Sequence, residues 1–274
     1  MRKTTINNLP VYQFHLLERF SDSVGHAVLS REGGVSKKPF DSLNVRYGIG
    51  DKLLNVKKNR ALICKALGIE ARNLISAEQT PSKNVQVVDS DFLRDRAPGE
   101  CYGVDAFVSD VPGAALMIQV ADCQVQLMFD PKRQVIAAVH AGWKGLALDI
   151  SGETIKVMKS RFGCSPADIL VGIAPSLGPC CAFFSDPEKE LPKSFHKFID
   201  EEKKVDLWSF SLDQLHSHGI APGHIELARV CTQCNNGPDI ESRGRFYSFR
   251  GEKGITGRFG VLIFRQALPA NKDY

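Results

Sequence analysis

Two reactive side chains, Cys123 and His140, lie seventeen residues apart in VADCQVQLMFD and VHAGWKGLA, each where an apolar run ends. Strand ends are where a rigid scaffold meets an open site. A thiolate and a neutral imidazole together suit a borderline-soft cation such as zinc. The same pair is also a nucleophile with its base. The residues alone leave both chemistries open, and either side chain taken singly could be a packed core residue. Asp122 and the turn Gly142-Trp143-Lys144-Gly145 beside the pair argue for a site. The glycines permit close backbone approach, and a strand-to-helix junction aims N–H groups at an anion, with Lys144 adding charge. The spacing matches neither a Walker A loop nor a dinucleotide fingerprint. A tight connection with Trp143 packed and Lys144 solvated explains the turn equally well.

A second candidate is SREGGVSKKPFDSLNVRYGIGD, residues 30–51, a long irregular segment of the kind that is often functional. Arg31, Ser42, Asn44 and Asp51 could present a guanidinium, a hydroxyl, an amide and a carboxylate to a polar ligand. Alternatively, Asp51 caps the next helix and Arg31 is solvated. Among the eight cysteines, Cys231 and Cys234 form CTQC, but no second pair follows at zinc-ribbon spacing, so a four-cysteine structural zinc is not expected. Cys180 and Cys181, adjacent in LGPCCAFF, read as packing, and Cys64 reads as core.

The elements that must position these groups follow from periodicity. Residues 51–68 have helical spacing of apolar residues, with Gly68 as a C-terminal stop. Short β-rich runs at 85–88, 105–108, 114–120, 126–129 and 135–140 predict a sheet, part of it buried on both faces. A helix over 146–162 ending at Gly163, a strand at 169–173, helical pieces near 188–199 and 211–218, and strands at 225–230 and 258–264 complete the reading. This order mixes βα units with hairpin-like pairs, so a mixed sheet fits better than a doubly wound parallel one. No repeat or long linker interrupts it, and residues 1–274 read as a single domain with an α/β fold.

With 43% apolar residues a core forms without staples, and the apolar runs are far short of the ~20 residues that cross a bilayer. No secretory h-region is seen at the start, so a cytoplasmic protein with reduced thiols is expected. The net charge of +4 is scattered and lacks interleaved aromatics, which argues against nucleic acid but not against a phosphate-bearing small molecule.

Taken together, SREGGVS (30–36), SLN (42–44), GD (50–51), NR (59–60), VDA (104–106), ADC (121–123), HAGWKG (140–145), GPCC (178–181) and TGR (256–258) occur in this order along the chain. The set resembles the YfiH/YlmD-type family long labelled multi-copper polyphenol oxidoreductase laccase, now associated with purine nucleoside phosphorylase and adenosine deaminase activities. The resemblance implies an α/β/β/α sandwich and a zinc held by a His-Cys-His set from QVHG, ADC and HAGW segments. Cys123 and His140 match the second and third ligands. Where the first would fall the chain reads AEQTPSKNV, with Thr80 in place of the histidine. A threonine hydroxyl is a poor zinc ligand, which leaves a distant side chain such as His26 as the source of a third. Copper is not expected, because four Met and seven scattered His provide no set of HxH motifs for a multicopper cluster. The chain also departs from the family at Gln124-Val125, Leu146 and Ala182-Phe183.

By this resemblance the substrates are purine nucleosides and phosphate, Cys123 and His140 are the catalytic and metal-holding groups, and Arg31, Asn44, Asp122, Lys144 and Arg258 are the groups nearest the substrate. Two other readings stand beside it. One is a metal-free hydrolase or deamidase with Cys123 as nucleophile and His140 as base. The other is a non-catalytic member in which the site has decayed. No membrane or nucleic-acid partner is implied, and the oligomeric state is not readable.

Overall fold

The computed structural model describes residues 1–96, 99–234 and 245–266. Its strands and helices run β1 (Arg2–Ile6), β2 (Leu9–Gln13), α1 (His15–Glu18), β3 (Val24–Leu29), α2 (Leu53–Leu67), β4 (Leu74–Ile75), β5 (Ala77–Glu78), β6 (Val85–Val87) and α3 (Ser90–Asp95). Next come β7 (Cys101–Tyr102), β8 (Ala106–Ser109), β9 (Ala115–Val120), β10 (Gln124–Asp130), β11 (Val135–Ala141), α4 (Trp143–Ala147) and α5 (Ile150–Phe162). The last are β12 (Leu170–Ile173), α6 (Pro187–Glu190), α7 (Leu207–Ser217), β13 (Ile225–Leu227) and β14 (Phe259–Arg265). One six-stranded sheet has the order β1-β2-β3-β14-β9-β4 and the other β13-β12-β10-β11-β8-β6. Both are mixed, with parallel pairs β4–β9, β6–β8 and β12–β13 among antiparallel ones.

The apolar runs of β9, β10, β11 and β14 are continuous because both faces of these strands are covered. Leu116 and Ile118 of β9 and Val261 and Ile263 of β14 meet Leu127 and Phe129 of β10 and Ile136 and Ala138 of β11 in the core between the sheets. Their neighbours along the strands point the other way. Met117 and Leu262 pack with Ile63, Cys64 and Ala66 of α2, while Met128, Ala137 and Val139 pack with Ile155 and Met158 of α5 and Leu215 of α7. The result is the expected mixed α/β/β/α sandwich. Among the described residues no helix is long and apolar enough to cross a membrane.

Several elements differ from the sequence reading for local reasons. The helix expected over 146–162 is two helices, because Asp149 adopts a left-handed conformation (φ 60°) and its carboxylate accepts the Gly152 N–H at 3.1 Å. A short polar side chain tolerates that conformation and caps the second of the two helices. In place of a helix near 188–199 there are α6 and a 3₁₀ turn, Lys193–Phe198, separated by Pro192. α7 starts earlier than expected, at Leu207, because the Asp206 carboxylate accepts from Trp208 N at 3.1 Å and Ser209 N at 3.0 Å. β1 and β2 were not anticipated; Asn7 and Asn8, at φ 45° and 68°, make the tight two-residue turn that joins them.

His26, on β3, is 2% exposed; its Nε2 accepts the Phe14 N–H at 2.7 Å and its ring stacks on Phe14. Burial, only partly opposed by Glu18 and Glu226, pushes its pKa from 6.5 down to about 4. The unfolded chain therefore takes up a proton near the ordinary histidine value and the folded chain does not. Stability should fall as pH drops from about 6.5 towards about 4, with this one group contributing about 3 kcal/mol. Urea titrations near pH 7 and pH 4.5 are expected to show the wild type losing about 2 kcal/mol more than His26→Gln; equal losses would contradict this origin.

Candidate active site

The site is assembled by strand register. In the β10–β11 hairpin Gln124 pairs with Ala141 and Val125 with His140, so Cys123, just before β10, arrives beside the end of β11. On the other side of β11, β8 pairs Ala106 with Val139, which sets Asp105 opposite His140. The His140 N–H donates to the Asp105 carbonyl oxygen at 2.7 Å, and the imidazole Nδ1 bonds Asp105 Oδ1 at 2.7 Å. Ser82 Oγ donates to the other carboxylate oxygen at 2.7 Å. With Nδ1 engaged, Nε2 is left to face the Cys123 thiol. Burial alone would lower the pKa of His140; the bond to Asp105 and the neighbouring Cys123 outweigh it and lift the value to about 9. Gly142 makes this pairing accessible, because a Cβ there would lie 3.1 Å from Cys123 Sγ and 3.4 Å from His140 Nε2.

The pair opens into a cavity of about 500 Å³, within the range of small-molecule sites. Arg46, Arg250 and Arg258 reach its wall, as do the aromatic rings of Trp143, Phe184 and Phe249. Arg258 precedes β14, where Phe259 pairs with Val120 of β9. Its guanidinium lies 5.3 Å from the Phe249 ring centroid, and that of Arg250 lies 5.1 Å from Phe184. Burial and then the nearby charge of Arg46 lower the pKa of Arg258. Among the described residues, Asp122 is the one carboxylate on this wall. It sits at φ 84° in the crossing from β9 to β10, and accepts from Thr232 Oγ1 at 2.6 Å and Arg250 N at 2.7 Å.

Of the residues singled out from sequence, Cys123, His140, Asp122 and Arg258 line one cavity. Asn44 lies behind it: its Oδ1 accepts from Arg46 N at 3.1 Å and Arg258 N at 2.9 Å, and its amide donates to Arg46 O and Asp51 Oδ2. It positions two arginines and has no atom left for a ligand. Arg31 is held elsewhere, by Asp41 O and Glu252, with its guanidinium 4.6 Å from the Tyr247 ring centroid. Lys144 is exposed, its ammonium 5.3 Å from the Trp143 ring, and is not among the residues lining the cavity, whereas Gly142 and Trp143 of the same turn are. Asp51 bonds Ser36, Asn44, Asn55 and Lys52 N, and Asn59 Nδ2 reaches Ser36, Ser42 and Asn44. The irregular segment is thus tied to itself and to α2. Sequence reasoning missed Asp105, Arg46, Arg250, Phe184 and Phe249; Asp105 was visible only as part of VDA, before a strand.

The His-Cys-His set is not completed. Gln79 lines the cavity, but its side chain is latched to the Gln119 main chain, with its amide donating to the carbonyl at 3.0 Å and its oxygen accepting the N–H at 3.1 Å. Thr80 turns towards Gly103, outside the cavity wall. His26 is fixed in the β3 core and reaches no part of the site. With two donors where zinc sites keep three or four, Cys123 and His140 alone do not fit a resident zinc. Cys180 is exposed and Cys181 only half-buried, so they are not the packing residues expected, and a four-cysteine group that the spacing did not predict is present. Cys180, Cys181, Cys231 and Cys234 converge closely enough to hold a metal ion, and among the described residues they are the one group of three or more such donors.

The chain belongs to the family described as multi-copper polyphenol oxidoreductase laccase, which matches residues 25–266. It is 29% identical over 259 residues to the purine nucleoside phosphorylase of Bacteroides thetaiotaomicron, covering 89% of this chain and 93% of that protein. It is 30% identical over 254 residues to purine nucleoside phosphorylase YlmD of Geobacillus stearothermophilus, covering 86% and 88%. The crystal structure of the hypothetical protein YfiH of Bacillus licheniformis matches with a TM-score of 0.80 at 29% identity, covering 90% of this chain and 94% of that one.

Gly142 has ordinary φ and ψ (−63° and 162°), so alanine there should fold and act only by filling space. Mass spectrometry of iodoacetamide-treated protein is expected to show Cys123 modified several-fold more slowly in Gly142→Ala than in the wild type. An unchanged rate would contradict the geometry.

Proposed function

We propose that this protein is a purine nucleoside phosphorylase acting in a thiol-reducing compartment such as the cytoplasm. The reading is carried by Arg46, Arg250 and Arg258, which among the described residues share one cavity wall with a single carboxylate that is already hydrogen-bonded. Guanidinium groups suit phosphate oxygens, and aromatic faces suit a purine. The names of the relatives support the same class.

Phosphate held by the arginines attacks C1′ of the ribose. The bond from C1′ to the purine nitrogen breaks with its electron pair going to the base, and the imidazolium of His140 returns a proton to the departing base. Asp105 keeps Nδ1 occupied and the ring aimed, so the proton leaves from Nε2. Each step uses this chain's own residues; a metal-activated water, and with it adenosine deamination, would need a ligand set that Cys123 and His140 do not complete.

One observation favours a second reading. Cys123 lies beside His140, whose ring is bonded to Asp105, the order of nucleophile, base and orienting carboxylate. Such a triad could cleave an amide or ester through a covalent thioester, independently of phosphate.

Spectrophotometric assays of inosine and adenosine at varied phosphate separate the two. Phosphate-dependent base release is expected, with Arg250→Ala and Arg258→Ala raising the KM for phosphate ~10- to 100-fold. His140→Gln should lower kcat ~100-fold or more. Because the acid is His140 with its pKa at about 9, kcat/KM should fall as pH rises through that value. Base release indifferent to phosphate would overturn the reading.

A further inference from the structure

We infer that Cys180, Cys181, Cys231 and Cys234 form a closed structural zinc site that ties two loops together beneath the cavity. The four Sγ atoms all lie within 4.8 Å of one another. In a tetrahedral tetrathiolate with Zn–S of about 2.3 Å, the sulfurs are about 3.8 Å apart. Cys180 and Cys234 are already 3.4 Å apart, well beyond the ~2.05 Å of a disulfide and close to that edge. Four thiolates and no imidazole or carboxylate select a soft or borderline cation, and four protein ligands leave no position for water or substrate.

The fold brings the ligands together without help from sequence spacing. β12 and β13 run parallel, pairing Val171 with Ile225 and Ile173 with Leu227. The pairing continues past the strand ends, where Ser176 N donates to Val230 O at 3.2 Å and Thr232 N to Ser176 O at 3.0 Å. Both chains then turn, one through Gly178 to Cys180 and Cys181, the other through Cys231 to Cys234. Gly178 N donates to Cys231 Sγ at 3.3 Å, the backbone bond that stabilises a thiolate. A Cβ on Gly178 would lie 3.0 Å from both Cys231 Cβ and the Trp208 ring, so glycine lets the two loops approach this closely without displacing either.

The same loops supply the cavity. Leu177, on its wall, donates its N–H to Asp122 O at 2.8 Å, and Thr232, between two of the thiols in sequence, holds the Asp122 carboxylate. Phe184 of the wall comes closely after Cys181. A zinc here would fix the two loops, and with them Asp122 and Phe184, while taking no part in the reaction.

The test is metal analysis by mass spectrometry of full-length protein purified without chelator, for the wild type, Cys123→Ala/His140→Ala and Cys180→Ser/Cys234→Ser. About one zinc per chain is expected in the first two and a loss of most of it in the third. In case the third variant fails to fold, alkylation of the wild type provides a second readout. Cys180, Cys181, Cys231 and Cys234 should be protected until a chelator is added, and then react together. A wild type that holds no zinc even after incubation with zinc would overturn the inference. So would iron or copper in its place, zinc that leaves with Cys123 and His140, or alkylation of the four thiols indifferent to chelator. None of these outcomes depends on nucleoside turnover, so the inference can fail or stand apart from the proposed activity.

Discussion

The pairing of β10 with β11 in one register is the constraint on which the rest of the site depends. With Val125 opposite His140, the thiol preceding one strand and the imidazole near the end of the other share a single strand end, and Gly142 leaves the space between them open. A slip of one residue would send every side chain of the hairpin to the opposite face. Because Leu127, Phe129, Ile136 and Ala138 face one core and Met128, Ala137 and Val139 another, such a slip would exchange two well-packed sets. The hydrophobic alternation therefore specifies the geometry of the site as well as the fold.

Charge at the site is set by burial and by how each group is held. Asp105, 1% exposed at its side chain, is held by Ser82 and by both the backbone and the ring of His140, and so carries the imidazole towards its charged form. On the arginine side, one buried amide, Asn44, accepts the main-chain N–H groups of both Arg46 and Arg258 and so fixes where the two leave the backbone. A second buried network, in which Arg60 bonds Ser76, Glu100 and Gln119, stands behind the same wall. Burial by itself would raise the pKa of Glu100; its bonds to Arg60, Gln119 and Ser76 hold it below the usual carboxylate range. The cavity can thus present cations to a ligand because the neighbouring acid is committed to its own partner.

Much of this was legible in the sequence where the information is local. The seventeen residues from Cys123 to His140 are the length of a hairpin, and Gly68 and Gly163 end their helices in the left-handed conformation expected of them. The illegible part depends on pairing between distant segments. Asp105 becomes a partner of His140 only through the β8–β11 register, and the four thiols meet only because β12 and β13 are parallel neighbours. Arg31 and Lys144 were plausible by charge, but a guanidinium satisfied by Asp41 and Glu252 and an ammonium on the solvent side of Trp143 lie outside the cavity. The Thr80 departure was readable as chemistry; that Gln79 is latched to the β9 main chain, with Thr80 turned from the cavity, was not.

The central claim is that the cavity directs phosphate, rather than water or a cysteine thiolate, to the nucleoside. Phosphorus NMR of the wild-type protein with inosine and inorganic phosphate tracks the reacting bond itself. A sugar 1-phosphate signal is expected to grow in step with release of the base. Free ribose with the phosphate signal undiminished, or no consumption of the nucleoside at all, would contradict it.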